Sequence, residues 1–172
     1  MQSENRAVYS LGFSDLRSYT LAFMFVVGNI VLPQLCHLVP RGGLIFLPIY
    51  FFTLVGAYRY GWRVGLLTAL LSPLANHLLF GMPALGVLGL VLGRSVILAL
   101  VAGFAAQRLG RLPLVGALAV VVVFYQLLGA ALEWMVVSDL WIALETLRLG
   151  VAGVVIQIFG GAAVINYLRR IR

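Results

Sequence analysis

The sequence predicts an all-α, polytopic membrane protein of six transmembrane helices with both termini in the cytoplasm. Three observations carry that prediction. The 172 residues are 63% hydrophobic and only 10% charged, and mean hydropathy is +1.08. A soluble domain of this size needs a charged shell, which this chain lacks. The apolar residues fall into six runs, most of them near the roughly 20 helical residues that cross a bilayer. The arginines are distributed unevenly between those runs.

All 12 basic residues are arginine. Nine of them (Arg6, Arg17, Arg59, Arg63, Arg108, Arg111, Arg169, Arg170 and Arg172) lie in the tails and in the second and fourth connections. The other connections hold only Arg41 and Arg148, and Arg94 lies inside a run. Positive loops stay in the cytoplasm, which places both tails there. Five or seven spans would destroy the asymmetry. The net charge of +7 is therefore topological. With no basic run and no aromatic interleaving, nucleic acid is not an expected partner.

The first span is expected over 18–38, ending near Pro40-Arg41-Gly42-Gly43. The second, 44–58, is short and contains Pro48. Its connection to the third carries Tyr58, Arg59, Tyr60, Trp62 and Arg63, side chains suited to the headgroup region. The third span, 63–79, contains Pro73. The last three are expected over 84–107, 112–137 and 146–168. Their continuous rather than alternating apolar character argues against a β-barrel. Residues 1–17 are polar, lack a signal-peptide pattern and are read as a cytoplasmic segment. No linker divides the chain, so 1–172 is expected to be a single domain. The lone Cys36 excludes an intrachain disulfide.

Small residues recur every fourth position at Gly61, Gly65 and Ala69, and at Ser95, Ala99 and Gly103. Such stripes let helices approach closely, within one chain or against another subunit.

Intramembrane polar groups are costly and point to function. In this orientation Gln34, Cys36 and His37 end the first span on the outer side, and Asn76 and His77 end the third there. Glu133 and Trp134 lie near the outer end of the fifth span, and Arg94 lies at mid-depth. Asn29, Gln126 and Gln157 are also deep. An outward cup with apolar walls and a few orienting polar groups follows. Tyr50, Phe51, Phe80, Trp134 and Trp141 can stack on a flat ligand. The bland reading of Arg94 and Glu133 is a buried ion pair that stabilises the bundle.

Catalytic signatures are missing: no HExxH, GxSxG, P-loop or Asp-rich motif occurs. An enzyme is therefore not expected, nor is a cofactor. A metal site at Cys36, His37 and His77 has nonspecific spacing, and neighbouring side chains diverge on a helix.

Several stretches together resemble the substrate-binding S components of energy-coupling factor (ECF) transporters, a group of prokaryotic vitamin importers. They are Gly28 to Gln34, Pro40 to Tyr50, Gly56 to Gly61 and Leu71 to Pro83, with the turn Gly61-Trp62-Arg63-Val64-Gly65. S components often show a Gly-rich first loop, a Pro-containing second span and a Gly-Trp/Phe-x-x-Gly turn. The resemblance covers nearly the whole chain. It implies a six-helix S-component bundle in the prokaryotic inner membrane. It also implies a vitamin-like cargo held in an outward cavity, and partnership with a transmembrane T subunit and two cytoplasmic ATPases. Cargo contacts are then expected from Asn76, His77, Arg94, Glu133 and Trp134, with Gln34, His37 and Tyr50 beside them. Many S components dock the T subunit through Ala-x-x-x-Ala on the first helix; Ser18-x-x-x-Ala22 keeps that spacing and small size. Two other readings are a structural six-span protein of the cell-shape machinery and a small membrane enzyme acting on lipid.

Overall fold

The computed structural model describes residues 12–171. Arg6, Arg172 and most of the segment 1–17 lie outside the described residues. Helices run α1 (Leu16–Cys36), α2 (Gly42–Phe46), α3 (Phe51–Tyr60), α4 (Trp62–Phe80), α5 (Leu85–Arg108), α6 (Leu114–Val137), α7 (Leu140–Leu149) and α8 (Val151–Arg170). A 3-10 turn, Pro48–Tyr50, joins α2 to α3. Six segments are long and apolar enough to cross a membrane: α1, the composite Gly42–Tyr60, α4, α5, α6 and α8. The chain is a multi-pass, all-helical membrane protein.

Helix α1 shows how each span divides its faces. Asp15 caps its start by accepting from Arg17 N at 2.9 Å. Ser18, Ala22, Phe25, Val26, Asn29 and Pro33 are buried, at helical spacing. Phe23, Met24 and Leu35 face outward and are largely exposed. An apolar exposed face is a liability in water and the required surface in lipid.

Two spans differ from the expected boundaries. The second is not one helix over 44–58 but a broken crossing over Gly42–Tyr60. Pro48 has no N–H to continue the ladder from α2. Leu47, just before it, takes a left-handed conformation with φ 50°, which costs about 1–2 kcal/mol for an L-residue. The sixth crossing starts at Val151 rather than near Thr146. Asp139 accepts from Trp141 N and Ile142 N, so a separate short helix, α7, begins there and ends at Gly150.

A break inside hydrocarbon leaves backbone groups that water cannot satisfy, and other helices must supply the partners. Asn29 of α1 does most of this. Its Oδ1 accepts from Phe52 N at 3.1 Å, in the first turn of α3. Its Nδ2 donates to Thr53 Oγ1 and Ser72 Oγ, both at 3.1 Å. Pro33 cannot donate back to the Asn29 carbonyl. That carbonyl accepts instead from Asn76 Nδ2 of α4, at 2.9 Å. From the other side, Tyr125 of α6 donates to Gln157 Oε1 of α8 at 2.8 Å, and Gln157 Nε2 reaches Leu47 O at 3.5 Å. Gly153 lets α8 approach the break, since a Cβ there would lie 2.8 Å from the Phe46 carbonyl.

The core runs through the bundle from Ala22 and Phe25 through Leu54, Leu98 and Val121 to Ile165. The small-residue stripes pack within this chain: Gly65 abuts Ala57, and Gly103 abuts Trp62. Trp62 also touches Phe13 and Phe104, which brings the start of α1, the α3–α4 turn and the end of α5 to one end of the bundle. The turn itself needs Gly61, at φ 99° and ψ 163°, a backbone region open only to glycine.

An Asn29→Ala variant is expected to lose at least about 1–3 kcal/mol, the cost of one buried donor left unsatisfied at Phe52. Thr20→Val, on the exposed face of α1, is expected to lose less than about 0.5 kcal/mol. Thermal unfolding in detergent compares them; equal losses contradict the role given to Asn29.

Candidate functional site

At the end of the bundle opposite Trp62, the break in the second span leaves a cavity of about 660 Å³. Its walls come from the end of α1, residues 39–50, the turn 81–84 and the first turns of α5. Leu44, Leu47, Ile49, Val87, Leu90 and Val91 make much of it apolar. Arg94, Glu133 and Thr146 bring α5, α6 and α7 to it.

Arg94 is the deepest charge. Its Nη2 donates to Glu133 Oε2 at 2.5 Å, and its Nε to Gly129 O at 3.3 Å. Glu133 Oε1 accepts from Thr146 Oγ1 at 3.1 Å. The two side chains are 7% and 12% exposed. At this burial the pair is mutually required, because either charge alone is strongly disfavoured in the bilayer. The bland reading of a bundle-stabilising ion pair is thus present in the geometry. It leaves Arg94 Nη1 without a hydrogen-bond partner among the described residues.

Other polar groups on the wall also keep free atoms. Asn76 is 2% exposed. Its Nδ2 donates to Asn29 O and to Ser72 O, both at 2.9 Å. That fixes the amide orientation, since a flipped Oδ1 would face two carbonyls. Asn76 Oδ1 is therefore an acceptor with no donor among the described residues. The Tyr50 ring packs on Tyr125, with centroids 6.1 Å apart, and its hydroxyl makes no bond to the described residues. Gln34 lines the wall, and His37 and Arg41 are exposed at the mouth.

Six of the eight ligand residues expected from sequence line this cavity: Gln34, His37, Tyr50, Asn76, Arg94 and Glu133. The other two do not. His77 turns its Nδ1 to Pro83 O, at 2.8 Å, and holds the turn after α4. Trp134 follows Glu133 on α6, so it points away and is half exposed. Ser18 and Ala22, the expected docking pair, are buried inside the bundle, and Ser18 Oγ donates to Gly12 O. A partner reaches neither without the helices parting. Thr146 was missed. It lies 13 positions beyond Glu133, and no linear spacing connects the two. Among the described residues, no three His, Cys, Asp or Glu gather as a metal site.

No family model matches the chain, and neither a curated protein nor a solved structure matches it.

Arg94→Met or Glu133→Leu alone is expected to cost about 3–5 kcal/mol, because it strands the other charge. The double variant Arg94→Met/Glu133→Leu is expected to recover most of that loss. Unfolding of the four proteins in one detergent measures the cycle. Additive losses would show that the two groups do not depend on each other.

Proposed function

We propose that this chain is a substrate-binding membrane subunit of the ECF importer type, which captures a vitamin-like small molecule at the outer face. One observation carries the reading. The cavity wall holds polar atoms, Arg94 Nη1 and Asn76 Oδ1, that have no partner among the described residues, in a pocket with largely apolar walls. A binding site keeps them for its ligand.

The arginine asymmetry supports the orientation. Of the described arginines, Arg17, Arg59, Arg63, Arg108, Arg111, Arg169 and Arg170 belong to the termini and turns at the Trp62 end, and Arg41 and Arg148 to the cavity end. With the positive end in the cytoplasm, the cavity opens outward, to the prokaryotic periplasm or exterior. The chain contains no nucleotide-binding motif. In this reading energy comes from two cytoplasmic ATPases through a T subunit. The reading makes the chain a receptor rather than an enzyme.

A vitamin panel screened by thermal shift in detergent tests the proposal. Ligand at a hundred times its dissociation constant is expected to add about 2.7 kcal/mol of stability. Val87→Trp narrows the mouth at an exposed wall position; it is expected to keep the fold and lose the shift. Co-purification with a T subunit and ATPases is the second readout. A protein that no vitamin stabilises and that pulls down no T subunit contradicts the proposal.

A further inference from the structure

The geometry points to a specific cargo chemistry, which rests on the receptor reading: we propose that the cavity takes a small monocarboxylate whose apolar body carries an N–H or O–H donor. The charged groups set the sign. Among the described residues Glu133 is the only carboxylate on the wall, and each of its oxygens already accepts one bond, from Arg94 and from Thr146. A cationic ligand competes with Arg94 for that carboxylate, and it meets Arg94 and, at the mouth, Arg41. The reverse holds for an anion. Arg94 Nη1 has two N–H groups without partners, on a guanidinium whose other edge is clamped by Glu133 and Gly129. A clamped planar donor edge suits a carboxylate, and the clamp keeps it oriented before the ligand arrives.

The surroundings limit the charge to one. Glu133 already offsets Arg94, and Leu47, Leu90 and Val91 line the wall nearby. A dianionic phosphate loses more hydration on entering such a pocket than one shared guanidinium returns. The polar edge of the ligand is set by Asn76. Both of its N–H groups are committed to carbonyls, so it presents only Oδ1. An acceptor there calls for a donor on the ligand. Tyr50 and Gln34 can donate or accept and do not discriminate.

The test is a thermal-shift series on the full-length protein in detergent. The probes are ring-bearing monocarboxylates with a ring or exocyclic N–H, including indole-3-acetate, biotin and 4-aminobenzoate. Each is run beside its primary amide, and indole-3-acetate also beside tryptamine and 1-methylindole-3-acetate. At least one acid is expected to raise the melting temperature by about 5 °C or more. Its amide is expected to bind at least about tenfold more weakly. For indole-3-acetate, methylation of the ring nitrogen is expected to weaken binding. Arg94→Lys keeps the charge beside Glu133 and removes the second nitrogen; it is expected to erase the preference for acid over amide. An amide or amine that stabilises as well as its acid overturns the proposal and leaves the receptor reading intact. A panel in which no acid stabilises overturns it too, and silence from amides and amines as well counts against both.

Discussion

A helix that breaks inside hydrocarbon must find partners for the backbone groups it exposes. That constraint organises this protein. The second crossing breaks at Leu47–Pro48, and Asn29 answers from the neighbouring helix. One amide ties α1 to both α3 and α4, and the carbonyl of the same residue, released by Pro33, holds Asn76. The Tyr125–Gln157 pair meets the break from α6 and α8. A straight second span would need none of these residues and would leave less room for the cavity.

The polar residues of the bundle thus do two kinds of work. Asn29, Thr53 and Ser72 form a closed cluster whose bonds join three helices. Arg94 and Asn76 form an open set, each anchored on one side with a free atom on the other, and Tyr50 and Gln34 line the cavity beside them. Asn76 belongs to both, because its donors complete the Asn29 cluster and its acceptor faces the pocket. Loss of the closed cluster therefore disturbs the open one. The Arg94–Glu133 pair works similarly: the carboxylate neutralises the arginine in lipid and orients its free edge.

Much of this was legible in the sequence, and the physics explains where it was not. Composition and run length were enough for six crossings, because a bilayer tolerates little else. Arg94 stood out because topology had no use for it. Glu133 and Asn76 stood out as polar groups near one end. Depth alone does not give helix rotation, so Trp134 and His77 share the level of the cavity without lining it. Trp134 shares the depth of Glu133 and points the other way, and His77 serves the Pro83 turn. Asn29 and Gln157 were visible as deep polar residues, but their purpose depends on where Pro48 breaks the neighbouring span. Thr146 and the separate helix α7 were hidden because an apolar run can continue past the cap at Asp139 without remaining one helix.

The proposed orientation opens the cavity to the outside as far as the face of α5 next to Arg94. Cysteine accessibility in intact cells tests it directly. In a Cys36→Ala background the chain has no other thiol. Val91→Cys, on the cavity wall, is predicted to react with a membrane-impermeant thiol reagent added outside. Ala99→Cys, two turns further along α5 and fully buried, is predicted to stay unlabelled. A Val91→Cys protein as inert as the Ala99→Cys protein, or one labelled only in inverted vesicles, would contradict the account.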